Sequence, residues 1–258
     1  MRTYPWAVPF LVGAAFVSAL VLSRTAPEAA RLVIPAFMLA ATVAVAAATY
    51  GLARIGHDRR VALLTSATPA VLVAGAFGCF LIVETSAGRL ALAAATVMLA
   101  AVYLAYLRGM VRGDERFRVD DFSHFSFAVH VVSVFFVFAF AFGVTGYLRI
   151  PVPLAAFVVA VTILLATAET LRRAGLANGS AATISAMFVA LGVQLYLALS
   201  FLPTSHLVNA AVGTVLYAAG LHAVVAALAD RAPAPAFRRQ FALSLLLVVI
   251  MLSTARWA

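Results

Sequence analysis

Apolar residues occur in nine long runs that are separated by short polar breaks. The runs cover approximately residues 5–23, 29–53, 61–83, 88–108, 123–147, 151–171, 180–202, 205–229 and 237–254. A helix of about 20 apolar residues, at about 1.5 Å per residue, crosses the hydrocarbon core of a bilayer. The breaks are rich in Gly, Pro and charged residues, which end helices. The pattern predicts an all-α fold, a polytopic integral membrane bundle of about nine transmembrane helices, with eight as the alternative count.

Composition agrees with this pattern. Hydrophobic residues make up 65% of the 258 residues and charged residues only 10%, whereas soluble domains are about 45–50% apolar and about 25% charged. The lipid bilayer is therefore the main predicted partner. The longest polar stretch, 109–121, is too short to fold alone, so residues 1–258 are predicted to form a single transmembrane domain without a soluble domain.

The arginines indicate how the chain is oriented in the membrane. Most of them are predicted on the same side of the membrane as the N-terminus: Arg2, Arg54, Arg59, Arg60, Arg108, Arg112, Arg116, Arg118, Arg172, Arg173, Arg231, Arg238 and Arg239. By the positive-inside rule, this side is cytoplasmic. The N-terminus is then cytoplasmic and, with nine spans, the C-terminus lies outside. The expected location is the inner (plasma) membrane of a bacterial cell. A cleaved signal peptide is the alternative for the first run.

Several function classes are excluded by residue types that the chain lacks. All 18 basic residues are arginine, so a retinal Schiff base and a pyridoxal-phosphate aldimine, which both need lysine, are excluded. The single cysteine, Cys79, cannot form an internal disulfide, and no CxxC motif exists to hold zinc or an iron–sulfur cluster. Because the arginines are scattered among short loops, no nucleic-acid partner is expected.

Ionisable residues within or beside the apolar runs are the candidate site residues. His130 is expected roughly 10 Å, and His222 roughly 12 Å, from the cytoplasmic ends of their helices. Such groups are costly in lipid and usually face a partner or a water-filled cavity. The candidate ligand-binding or proton-relay residues, all predicted near the cytoplasmic side, are His130, His222, Glu169, His124, Asp120 and Asp121.

Three chemical roles and one structural role remain open for these residues. His130 and His222 could be axial ligands of haem b, or could join His124 and Glu169 around a transition metal. They could instead relay protons or bind an anionic headgroup, since histidine changes charge near neutral pH. In the structural alternative, each histidine forms a hydrogen bond with a Ser or Thr of a neighbouring helix.

The favoured function is that of a multi-pass transporter or carrier for a small or amphipathic molecule. The basis for this interpretation is that a compact membrane bundle without a soluble domain is typical of carriers. The chain also has no P-loop, no HExxH motif and no GxSxG motif. One alternative is a membrane-embedded enzyme or redox subunit that acts on a lipid or quinone-like substrate through the cytoplasmic-side His, Glu and Asp residues. Another is a non-catalytic subunit or assembly factor that binds a membrane-protein partner.

Overall fold

The computed structural model describes the backbone of residues 7–55, 58–114, 117, 119–147, 149–176, 178–228 and 234–255. Side chains are described for these residues except 27, 29–32, 119–120, 178, 234–238 and 240. Within these ranges all repetitive structure is helical. The helices are α1 (Ala7–Thr25), α2 (Pro27–Ala53), α3 (Arg59–Ile82), α4 (Ser86–Val111), α5 (Val119–Tyr147), α6 (Val152–Arg173), α7 (Asn178–Ser200), α8 (His206–Leu228) and α9 (Ala234–Thr254). The predicted polytopic membrane helix bundle is confirmed.

Eight of the described helices, α1 to α8, are long and apolar enough to cross a membrane. The apolar part of α9, Phe241–Thr254, is shorter than a full crossing. Arg238 and Arg239 precede it in the same helix and shorten the stretch that lipid can solvate. The helix lengths therefore support eight crossings, and a ninth stays a prediction.

Two helix ends in the described part of the chain are completed by capping residues that the sequence supplies, Thr85 and Gly175. The Thr85 side chain accepts a hydrogen bond of 3.2 Å from the Gly88 amide at the start of α4, which satisfies a donor that the helix itself leaves unpaired. Gly175 ends α6 in the left-handed region, with φ of 83°. The Leu176 amide then donates back to the Leu171 carbonyl at 3.2 Å, as in a Schellman ending.

The first of two compact units, Met1–Ser133, contains α1 to α4 and the beginning of α5. In it α2 packs against α1, α3 and α4, and α4 also packs against α1 and α3. Phe16 of α1 stacks on Phe77 of α3, with ring centroids 3.9 Å apart. Val12 of α1 and Leu72 of α3 are also fully buried. Close packing of this kind holds helices together in lipid, where no hydrophobic force drives them to associate.

The second unit, Val134–Ala258, contains the rest of α5 and α6 to α9. Helix α7 packs against α6 and α8, and α8 packs against α9. Gly192 of α7 lies against Ile163 of α6. A Cβ atom at this glycine would come within 2.1 Å of Ile163 Cδ1. The missing side chain thus allows the two helices to approach closely. The single-domain organisation stays a prediction.

Candidate functional site

A group of buried polar residues lies on three helices of the first unit. We call it the polar cluster, and its members are Thr65 and Thr68 of α3, Tyr103 of α4 and His130 of α5. All four are buried within helices that are otherwise mostly apolar. Polar groups at this depth must find partners inside the protein or be hydrated in a cavity.

His130 is the ionisable member of the polar cluster. Its side chain is 2% exposed, and its Nε2 atom lies 2.7 Å from Thr68 Oγ1. The threonine donates or accepts in this hydrogen bond according to the imidazole tautomer. The structural alternative of the sequence analysis predicted a Ser or Thr partner on a neighbouring helix, and for His130 this is confirmed.

Two serines lie on the same face of α5 as His130, one turn before it and one turn after it. Both are buried. Ser133 Oγ donates to the Val129 carbonyl of its own helix at 2.7 Å. Ser126 Oγ has no hydrogen-bond partner among the described residues. The face of α5 that carries His130 is therefore polar over two turns and has an unused hydroxyl.

Pro69 adds a backbone group to the polar cluster. Proline has no N–H, so the carbonyl of Thr65, four residues earlier in α3, loses its usual helical donor. The Tyr103 hydroxyl donates to this carbonyl at 3.1 Å. The Tyr103 ring also packs against Phe122 of α5, with centroids 5.2 Å apart. One side chain thus completes the interrupted helix α3 and contacts the helix that carries His130.

The other candidates of the first unit are not part of the polar cluster. His124 and Asp121 are exposed, and the side chain of Asp120 lies outside the described residues. His124 precedes His130 by six residues, which turns it by about 120° around α5. The structure therefore does not bring His124 and His130 together.

In the second unit, Glu169 is buried and His222 is exposed. Glu169 is 2% exposed, and Arg173, one turn later in α6, donates from Nε to its Oε1 at 3.0 Å. A second contact runs from Arg173 Nη2 to the same oxygen. In α8 the residue before His222, Leu221, is the buried one. Glu169 is thus paired within its own helix, as a buried carboxylate requires.

Two tyrosines hold helices of the second unit together by hydrogen bonds. The Tyr217 hydroxyl of α8 lies 3.1 Å from Thr167 Oγ1 of α6. The Tyr196 hydroxyl of α7 donates to the Ala141 carbonyl of α5 at 3.3 Å. Both tyrosines are buried. These contacts join helices and involve none of the predicted site residues.

The metal and haem interpretations gain no support from this geometry. Among the described residues, no three His, Cys, Asp or Glu side chains come together in a way that could hold a metal ion. The pairing of His130 with His222 joins residues of different units and stays a prediction.

Together, the fold and the polar cluster define a class: a multi-pass membrane helix bundle with an imidazole buried in its first unit. Comparison of the chain with protein-family models, curated proteins and solved structures finds no match. Function is therefore inferred from the residues described above.

Proposed function

We propose that this protein carries a small or amphipathic molecule across the inner membrane of a bacterial cell, with its N-terminus in the cytoplasm. The observation that carries the proposal is the burial of the ionisable side chain of His130, which is 2% exposed within helix α5 of the first unit. An ionisable side chain within a membrane span is expensive, and such residues commonly mark the path of a substrate or a proton.

The interrupted helix α3 supports this proposal. Carriers often bind their substrates where a membrane helix is broken and its backbone carbonyls are freed. Pro69 frees the Thr65 carbonyl in this way, next to the threonine that contacts His130. Tyr103 holds this carbonyl in the structure described here, and its hydroxyl could exchange that acceptor for a polar group of a ligand.

The donors and acceptors of the polar cluster indicate the chemistry of the ligand. An imidazole and hydroxyl groups can both donate and accept hydrogen bonds. The surrounding core is apolar, with Leu72, Leu104 and Leu107 among its buried residues. A molecule with one polar end and an apolar body would match these surroundings. We expect its polar end to replace the hydrogen bond between Thr68 and His130 with hydrogen bonds from the ligand to both side chains.

Ligand-induced thermal stabilisation, followed by counterflow exchange in proteoliposomes, tests this function. The purified protein is screened against a panel of quinones, fatty acids, isoprenoid alcohols and organic acids. Each compound that stabilises it is then tested for exchange. We expect Thr68→Val and His130→Gln to weaken ligand binding by about three- to eighteenfold, the value of one hydrogen bond between membrane helices, and to slow exchange.

Thr183→Val is the matched control. Thr183 is exposed on α7 and its hydroxyl donates to the Gly179 carbonyl of the same helix at 3.2 Å, so its replacement should leave binding and exchange unchanged. Exchange at the wild-type rate in both polar-cluster variants would remove the cluster from the transport path. If no stabilising compound is exchanged, the carrier function itself is contradicted.

A further inference from the structure

Two arginines and two serines join the end of α1 to the start of α4 in a reciprocal way. Arg24 of α1 donates from Nη2 to Ser86 Oγ of α4. Arg89 of α4 donates from Nη1 to Ser23 Oγ of α1 at 3.4 Å. Because Ser23 and Arg24 are consecutive, and Ser86 and Arg89 share the first turn of α4, both guanidinium groups lie at the same end of the first unit. We call them the arginine pair.

Further contacts hold the Arg89 side chain in place. Its Nε atom donates to the Val83 carbonyl at 2.6 Å, which satisfies an acceptor at the end of α3. Its Cζ atom lies 5.3 Å from the centroid of the Phe80 ring, within the range of a cation–π interaction. Arg24 is exposed. A guanidinium group has five N–H donors, so the arginine pair keeps donors for a ligand beyond those used in these contacts.

The positive charge of the arginine pair is not neutralised by any carboxylate that the structure describes. Glu84 lies in the turn between α3 and α4 and is exposed, but forms no ion pair with Arg24 or Arg89. The contacts of the pair are with two hydroxyls, a carbonyl and an aromatic ring. Two neighbouring guanidinium groups with forked donors match the oxygens of a phosphate group.

The surroundings of the arginine pair are those of a lipid headgroup. The pair lies where α1 ends and α4 begins, and both helices are long and apolar enough to cross a membrane. Lipid phosphates lie at the level of such helix ends. Val21, one turn before Arg24, is 51% exposed, and Leu90, next to Arg89, is 58% exposed. These side chains offer an apolar surface to an acyl chain directly beside the two positive charges.

We propose that the arginine pair binds the phosphate of an anionic phospholipid headgroup. This binding site uses none of the residues of the polar cluster, so it does not depend on the carrier function. Arg24 contributes an exposed guanidinium group, Arg89 a fixed one, and the N-terminal end of α4 adds a partial positive charge.

Native mass spectrometry of the purified full-length protein tests this site. The protein is titrated with phosphatidylglycerol and with phosphatidylcholine of the same acyl chains. We expect tighter binding of phosphatidylglycerol to the wild type. Arg24→Gln and Arg89→Gln should each weaken this binding by about fivefold, as expected for one arginine near a membrane surface. Glu84→Gln should strengthen it, because a nearby negative charge is removed.

Arg112→Gln is the matched control. Arg112 is exposed at the opposite end of α4, so its replacement removes the same charge and should leave the preference for phosphatidylglycerol unchanged. Arg89→Gln also removes the contact with the Val83 carbonyl and could loosen the fold. Arg24 and Ser86 are exposed, so Arg24→Gln and Ser86→Ala serve as the test if Arg89→Gln lowers the melting temperature.

Competition with inorganic phosphate separates the two sources of the same chemistry. Resistance of bound phosphatidylglycerol to millimolar phosphate supports a lipid headgroup as the ligand. Displacement of bound phosphatidylglycerol by inorganic phosphate would show that the arginine pair recognises the phosphate group, and that the ligand is the free anion. The proposal is overturned if Arg24→Gln and Ser86→Ala bind phosphatidylglycerol as tightly as the wild type and Arg112→Gln.

Discussion

Pro69 affects the contacts of α3 with two other helices. It leaves the Thr65 carbonyl without its helical donor, and Tyr103 of α4 supplies the missing hydrogen bond at 3.1 Å. The adjacent residue, Thr68, binds His130 at 2.7 Å. Two of the contacts that join α3 to α4 and α5 therefore occur within one turn of this proline.

The first prediction concerns this freed carbonyl. Tyr103→Phe removes its donor and should lower the free energy of unfolding by about 0.6–1.7 kcal/mol, the range for hydrogen bonds between membrane helices. In a Pro69→Ala background the new amide at position 69 can donate to Thr65, so the same substitution should cost less. Unfolding with sodium dodecyl sulfate in mixed micelles measures both costs.

Tyr106→Phe is the control for the loss of a tyrosine hydroxyl from α4. The Tyr106 ring stacks with that of Phe125, with centroids 5.4 Å apart, and phenylalanine can keep this contact. Little change in stability is expected. Equal costs of Tyr103→Phe with Pro69 present and with Pro69 replaced would show that the freed carbonyl is not what the tyrosine stabilises.

The sequence predicts the candidate residues better than their partners. His130 and Glu169 are buried as ionisable residues at membrane depth, but His222 and His124 are exposed. Helix α8 is apolar on every side, so its sequence contains no stripe that tells which face turns inward. The contact between Tyr103 and Thr65 was not predicted. The one feature of the sequence that points to this contact is Pro69 within α3, because a proline leaves a carbonyl without its helical donor.

Single helices are predicted well because their ends depend on local residues. Each apolar run corresponds to one described helix, and the largest shift of a boundary is at the start of α5, at Val119 instead of residue 123. Pairing between helices is not predictable in the same way, because lipid-facing and protein-facing surfaces are both apolar. Small residues such as Gly192 indicate close packing but do not name the partner helix.

The contact between α6 and α7 gives a prediction at this scale. Gly192→Ala places a methyl group against Ile163 Cδ1 and should destabilise the protein by about 1 kcal/mol through overpacking. Ile163→Val removes that terminal methyl, so Gly192→Ala should cost less in this background. Thermal unfolding in detergent measures the coupling between the two substitutions.

Gly220→Ala is the control glycine in a helix of the same unit. A Cβ atom there would lie 3.5 Å from Phe188 Cε1, which is an ordinary contact. Because alanine is also the better helix former, the stability of this variant should be no lower than that of the wild type. Additive effects of Gly192→Ala and Ile163→Val would contradict the close approach of α6 and α7 at this position.

For the whole molecule, the number of crossings decides on which side of the membrane the C-terminus lies. Eight helices meet the requirements for a span among the described residues, and α9 has a shorter apolar part. An even number of crossings returns the C-terminus to the side of the N-terminus, whereas a ninth places it on the opposite side. The arginine distribution favours a cytoplasmic N-terminus, and we retain this orientation as part of the proposal.

The central claim is that apolar helices cross the lipid and that the arginine-rich connections remain in the cytoplasm. Labelling of single cysteines with a membrane-impermeant maleimide, in cells and in a Cys79→Ala background, tests it most directly. Glu84 and Asp114 flank α4 at opposite ends, and both are exposed. We expect Glu84→Cys to react in intact cells and Asp114→Cys to react only after the membrane is permeabilised. Labelling of both from the same side would contradict a crossing by α4, and the reverse order would contradict the orientation.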